Sequence, residues 1–122
     1  MSNYYDWQDF ANIYLEDSFV LDISESKNEI SFFIEAVLTE NHPFYTDPHH
    51  NEQYCYKNGK IVFKLLEPAI WVKKNKVRYI DSNDEVDYGN IDNFTLIDNQ
   101  YTISGDWGEL KVISYPVEIV WT

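Results

Sequence analysis

From Phe19 to the final residues, apolar side chains recur at every second position in runs too short for core helices, and polar, glycine- or proline-bearing links interrupt them. A chain written this way folds as antiparallel strands. Phe19, Leu21 and Ile23 alternate with Val20, Asp22 and Ser24; after a polar turn at 25–28, Ile30, Phe32, Ile34, Ala36 and Leu38 share one face of a second run. Its opposite face, Ser31, Phe33, Glu35, Val37 and Thr39, is only half polar. That predicts a central strand covered on both sides along part of its length. The two runs read as a long hairpin.

Turn chemistry supplies the remaining punctuation. Asn58-Gly59, set within Tyr54-Cys55-Tyr56-Lys57 and Lys60-Ile61-Val62-Phe63, offers the two positive-φ residues of a type I′ turn and predicts a second hairpin. Leu65 continues the face of Ile61 and Phe63, and Pro68 ends the strand. Residues 70–72 and 77–80 flank Lys73-Lys74-Asn75-Lys76 as a third hairpin. Residues 94–97 and 101–104 straddle Asp98-Asn99-Gln100, and Gly105-Asp106-Trp107-Gly108 turns the chain into 110–113. Val117, Ile119 and Trp121 alternate at the end. Near the start, Trp7, Phe10, Ala11 and Tyr14 recur at helical spacing, with Asp6, Asp9 and Asn12 outward. The expected fold is one mainly β domain over residues 1–122. It is an antiparallel β-sandwich or partly open barrel of about ten short strands, with one short N-terminal helix.

Charge limits the partners of such a domain. Twenty-one acids against nine bases give a net charge of -12, in a chain that is 17% aromatic. The aromatics supply a core, so the acids belong to the surface of a folded domain. A field of this sign repels nucleic acid and anionic membrane and speeds encounter with a basic protein partner. The charge is uneven: residues 1–59 carry -9, residues 60–78 +5 and residues 79–122 -8. Lys60, Lys64, Lys73, Lys74, Lys76 and Arg78 form a basic face only if the fold keeps their strands together. The lone Cys55 fits a reducing compartment. With no basic, apolar leader and no apolar run near the ~20 residues of a membrane helix, the expectation is a soluble cytoplasmic protein.

Site candidates concentrate in two segments. His42, His49, His50 and Cys55 are imidazole and thiol donors within one loop. They lack a Cys-x-x-Cys or His-Glu-x-x-His spacing, so the favoured reading is a proline-pinned loop with solvated histidines and a packed Cys55, and no metal. Asp81, Asn83, Glu85 and Asp92 have the oxygen-rich look of a calcium loop, but Val86 stands where such a loop needs glycine. The same stretch suits a partner: Glu85 and Asp87, two apart in extended chain, would present carboxylates on one side ~7 Å apart to Lys or Arg. Tyr88 beside them is an interface-anchor type. Asp84, Glu85, Asp87 and Tyr88 are therefore the expected partner-binding residues.

Tyr45, Tyr54 and Trp107 are the alternative, a platform for a small ligand or carbohydrate. Of the tryptophans, Trp71 and Trp121 fall on strands, whereas Trp107, close to Gly105 and Gly108, is expected to be the most exposed. The chain carries no Gly-x-Ser-x-Gly elbow, phosphate-binding loop or dinucleotide fingerprint, so neither an enzyme nor a cofactor is expected.

The run Leu15-Glu16-Asp17-Ser18-Phe19-Val20-Leu21-Asp22-Ile23, a turn, and then Glu29-Ile30-Ser31-Phe32-Phe33-Ile34-Glu35 resembles the opening of small, acidic, β-rich bacterial proteins of unknown function. Some of these are grouped with the immunity proteins of polymorphic toxin systems. The resemblance covers about the first third of the chain. It implies a sandwich-like single domain without established catalytic residues and, for the immunity kind, a tight protein partner.

Overall fold

The computed structural model describes residues 1–76, 78–82 and 84–122. Among them are eleven strands: β1 (Ser2–Asn3), β2 (Ile13–Glu25), β3 (Glu29–Leu38), β4 (Cys55–Lys64), β5 (Ile70–Lys74), β6 (Tyr79–Ile80), β7 (Val86–Asp87), β8 (Ile91–Ile97), β9 (Gln100–Gly105), β10 (Gly108–Ile113) and β11 (Glu118–Trp121). They form a five-stranded sheet in the order β1-β8-β9-β10-β5, a four-stranded sheet β11-β4-β3-β2 and the small pair β6-β7. The pairings are antiparallel. Both larger sheets keep end strands, so neither closes into a barrel.

One core cluster draws on residues of both larger sheets. Phe63 of β4 meets Phe94 of β8 at 5.7 Å and Tyr101 of β9 at 5.6 Å between ring centroids, and Phe32 of β3 meets Trp107 at 4.9 Å. Tilted and edge-to-face contacts of this kind suit aromatic quadrupoles. The inward face expected for β3 holds: Ile30, Phe32, Ile34, Ala36 and Leu38 are all buried. On its outer face Ser31 and Val37 are also buried, and Phe33 is 36% exposed.

The hairpins β2–β3, β8–β9 and β9–β10 follow the sequence reading. Asp98, at φ 54°, starts the tight β8–β9 turn. Three expectations fail. The N-terminal segment is not one helix but two 3-10 turns, Tyr4–Asp6 and Gln8–Phe10, separated by extended Trp7. Trp7 leaves the helical path because its ring packs edge-on against Phe10, Phe94 and Tyr101. Asn58-Gly59 is not a turn either: β4 runs straight through it, pairing Asn58 with Glu35 and Gly59 with Ile34. Ten residue pairs with β3 and four with β11 outweigh the local turn preference. Glycine is used there for space, since a Cβ on Gly59 would stand 3.0 Å from Trp121 Cε3.

Nor does β5 form a hairpin with β6. It pairs with β10, while β6 pairs with β7; the expected strand start at Val77 lies outside the described residues.

This separation divides the basic segment. Lys60 and Lys64 stand on β4 in one sheet, and Lys73 and Lys74 on β5 in the other. Lys64 pairs with Glu118 at 3.8 Å and Lys74 with Glu25 at 3.5 Å.

Candidate functional site

The site begins with an irregularity in β2. Opposite β3, Tyr14 pairs with Val37 and Phe19 with Glu35, so the residues between Tyr14 and Phe19 bulge out of the ladder. Two hydroxyls satisfy the backbone there. Ser18 Oγ donates to Tyr14 O at 2.7 Å and accepts the Val37 N–H at 2.8 Å, and Tyr4 Oη accepts the Leu15 N–H at 3.2 Å. Leu15 and Ser18 are buried by this arrangement, while Glu16 and Asp17 stay half-buried. Tyr4 Oη in turn donates to Glu16 Oε2 at 2.8 Å. Burial first, and then this bond, raise the Tyr4 phenol far above its ordinary value. A second break, between Val20 and Asp22, ends the strict alternation expected from Phe19: Val20 is buried, whereas Phe19 is 37% exposed.

Beside the bulge the free edge of β2 is covered by the segment leading into β8. Val20 N donates to Gly89 O at 2.7 Å and Tyr88 N to Val20 O at 2.8 Å, and Asn90 Nδ2 donates to Glu16 O at 2.9 Å. Gly89 has φ 95°, and a Cβ on it would come within 2.6 Å of Asp106 Cβ. Only glycine lets the β9–β10 turn bring Asp106 so close.

Between these elements opens a cleft of about 540 Å³. Its acids are Glu16 and Asp17 from β2, Asp87 from β7, and Asp106. Its aromatics are Phe19, Tyr54, Tyr56 and Tyr79, and among the described residues no Lys or Arg lines it. Several of these side chains are already held in place. Tyr54 Oη donates to Asp17 Oδ2 at 2.8 Å, Tyr79 Oη to Asp106 Oδ2 at 3.4 Å, and Gly89 N to Asp87 Oδ1 at 2.8 Å. Phe19 stacks on Tyr56 with centroids 6.3 Å apart. Asn90 Oδ1 is a buried acceptor without a hydrogen-bond partner among the described residues.

The electrostatics follow from this crowding. Glu35, paired with Phe19 across β2–β3, has its carboxyl raised above the usual range, by burial first and then by Glu85, Glu52, Asp81 and Asp87. Tyr54 is raised by its bond to Asp17 and Tyr79 by the charge of Asp106; burial, then Glu35, Glu52 and Asp17, raise Tyr56. Burial leads the shifts at Glu35 and Tyr56, and the neighbouring carboxylates lead those at Tyr54 and Tyr79; a cation entering the cleft would relieve the carboxylate part.

The expected site residues are dispersed relative to this cleft. Asp87 lines it, and Glu85 lies near enough to act on Glu35. Asp84, at φ 61°, and Glu85 are exposed in the β6–β7 turn, closed by Asp81 N to Glu85 O at 3.0 Å and Glu85 N to Asp81 Oδ1 at 3.0 Å. Tyr88 is half-buried, its ring packed against the core on one side.

The ligand trio is likewise not assembled. Tyr54 is in the cleft; Tyr45 packs against the core; and Trp107 is buried at 2% exposure, contrary to its expected exposure. The β9–β10 turn folds the Trp107 indole inward, where Nε1 donates to Asn90 O at 3.0 Å.

Among the described residues no group of three or more His, Cys, Asp or Glu side chains is placed to hold a metal. Asn83 of the calcium-like run lies outside the described residues. His49 and His50 are exposed and Cys55 is buried at the start of β4. His42 is not solvated: it is 8% exposed, its Nδ1 accepts the Phe44 N–H at 3.0 Å, and its ring lies 5.4 Å from that of Trp121. Burial, then Lys57, lowers its imidazole below the ordinary value.

Sequence reasoning missed Glu16, Asp17, Glu35, Tyr56, Tyr79 and Asp106. The one available signal was Leu15-Glu16-Asp17-Ser18, an acidic, small-residue interruption in an otherwise alternating run. Comparison of the chain with protein-family models, with curated proteins and with solved structures finds no match to any of them, so the cleft is read from its own residues.

Proposed function

We propose that the protein is a small acidic interaction protein of the cytoplasm, a sandwich-like domain that binds a basic protein partner through the cleft beside β2. The observation that carries this reading is the lining itself: four carboxylates and four aromatic rings and, among the described residues, no Lys or Arg. Carboxylates take Lys or Arg by charge-assisted hydrogen bonds, and tyrosine faces hold the cation and its aliphatic stem. The cleft is also braced before a partner arrives, through the bonds of Tyr54 to Asp17 and Tyr79 to Asp106. Bracing lowers the ordering cost of association. The net charge of -12 steers such a partner and disfavours nucleic acid. Inhibition of a basic toxin, the immunity role implied by the opening strands, is the form of this function that the reading favours. No catalytic role is proposed.

The test is capture from host lysate on the immobilised protein, eluted with rising salt, beside a variant carrying Asp17→Asn, Asp87→Asn and Asp106→Asn, which removes charge from the cleft lining at nearly constant side-chain size. A basic protein should be retained by the wild type, released by salt and lost by the variant, whose melting temperature stays close to the parent's. With that partner purified, association with the variant should be slower by about tenfold or more. Equal retention by both forms would remove the cleft from the proposal; retention of no basic protein would remove the function.

A further inference from the structure

A second concavity shares no lining residue with the acidic cleft, so it is independent of the reading above. It measures about 210 Å³ and is bounded by Trp71 of β5, Tyr88 and Trp107, with Asp22, Lys74 and Asn75 completing the polar part of its wall. The two indoles stand at 89° with centroids 6.0 Å apart and do not stack; Trp71 is half-buried and Trp107 is buried. Both are fixed. Trp71 Nε1 donates to Glu25 Oε1 at 2.9 Å, and Trp107 Nε1 donates to Asn90 O at 3.0 Å. Asn75 ties the floor down, its N–H donating to Trp107 O at 2.9 Å and its Nδ2 to Asp106 O at 3.0 Å.

An ammonium group already touches this box. Lys74 Nζ lies 4.9 Å from the centroid of the Trp71 ring and 3.5 Å from Glu25 Oε1. Its side chain is 65% exposed, so the lysine is a weakly held occupant that solvent and salt can compete away. A ring face attracts cations through its quadrupole, and quaternary ammonium groups, whose hydration costs least to strip, are the ligands that sets of aromatic walls recognise. The volume is below the ~300–1,000 Å³ typical of pockets for drug-sized molecules, which limits the ligand to a few heavy atoms.

We propose that this pocket binds a small quaternary ammonium compound, of the size of choline, which sits against the half-buried rings of Trp71 and Tyr88, with the buried Trp107 indole behind them, takes Asp22 as its counter-charge and displaces the Lys74 ammonium. The chain's own lysine marks the subsite, and its removal frees it.

The experiment titrates the intact protein with choline chloride and, at matched ionic strength, with 3,3-dimethylbutan-1-ol, the uncharged carbon isostere. Binding is followed by tryptophan fluorescence and by the indole N–H resonances. Choline should bind saturably in the millimolar range and at least about tenfold more tightly than the isostere. The shifts should fall on Trp71 and Trp107 and not on Trp7 or Trp121. Lys74→Gln, an exposed change that leaves the fold intact, should tighten choline binding about threefold to tenfold by removing the competing ammonium; Trp71→Leu should abolish it. Equal affinity for the isostere, shifts confined to other tryptophans, weaker binding by Lys74→Gln, or no saturation in either the wild type or Lys74→Gln would each overturn the proposal.

Discussion

Two regions of this molecule use aromatic residues to opposite ends. In the core, Phe32, Phe63, Phe94 and Trp107 meet one another in tilted and edge-to-face contacts and are shut off from water. In the cleft, Tyr54 and Tyr79 meet carboxylates, and their phenols are raised by those neighbours. Composition does not distinguish the two uses. What separates them is whether the ring is turned into the core or lies beside a break in a ladder: the bulge between Tyr14 and Phe19 leaves Glu16 and Asp17 half-buried at the cleft and Phe19 outward. The first arrangement holds the fold together, and the second makes a surface that attracts cations.

The largest effect that follows from this contrast is at Phe63. Its ring joins Phe32 in its own sheet to Phe94 and Tyr101 in the other, and it is 0% exposed. Phe63→Ala should cost about 3–5 kcal/mol through lost burial and the cavity left behind, a large share of the ~5–15 kcal/mol available to a domain. Denaturant titration measures it. A cost near that of a surface change would show that the two sheets do not depend on one another through this cluster.

A smaller effect separates the cleft from the core. Tyr54→Phe keeps the ring but removes the hydroxyl that donates to Asp17. The melting temperature should fall by only a fraction of the Phe63→Ala drop. The partner captured by the wild type should bind the variant more weakly, because Asp17 is no longer held in place. In an alkaline spectrophotometric titration, one of the late-ionising phenols should disappear. A stability loss comparable to that of Phe63→Ala would make Tyr54 a core residue after all and remove the distinction.

How legible these regions were in the sequence differs for the same reason. The alternation of Ile30, Phe32, Ile34, Ala36 and Leu38 marked the inner face of β3 because period two is a direct consequence of strand geometry. Hairpins joined by short links were legible too, since Asp98-Asn99 and Gly105-Asp106-Trp107-Gly108 lie where the chain turns. Asn58-Gly59 has an equally strong local signal and is mid-strand, because β3 and β11 pair with it from both sides and Trp121 needs the space over Gly59. Trp107 misled in the opposite direction: turn residues predict exposure, yet the turn delivers its indole to Phe32. The cleft was least legible. It joins β2, β6, β7, β4 and the β9–β10 turn, and no local pattern reports which distant segments meet.

The smallest expected effect concerns Glu35, where the outer face of the regular sheet meets the negative potential of the cleft. Its carboxyl is raised by burial and by Glu85, Glu52, Asp81 and Asp87, so the folded protein holds this proton more tightly than the unfolded chain does. Below about pH 4.3 both states are protonated and the group costs nothing. As pH rises from there through the raised folded value, the unfolded state releases its proton first and stability falls; at neutral pH the full deficit is present. Glu35→Gln removes it. The variant should therefore be slightly more stable than the parent at pH 7, by about 0.5 kcal/mol or less given solvent screening, and indistinguishable from it below about pH 4. Paired thermal melts across that range decide the matter, and the partner provides the sharper reading. If the potential around Glu35 serves cation binding, the variant should gain stability and lose affinity together. Stability gained with affinity unchanged would mean that Glu35 lies outside the surface the partner covers, and would confine contact to the carboxylates beside β2.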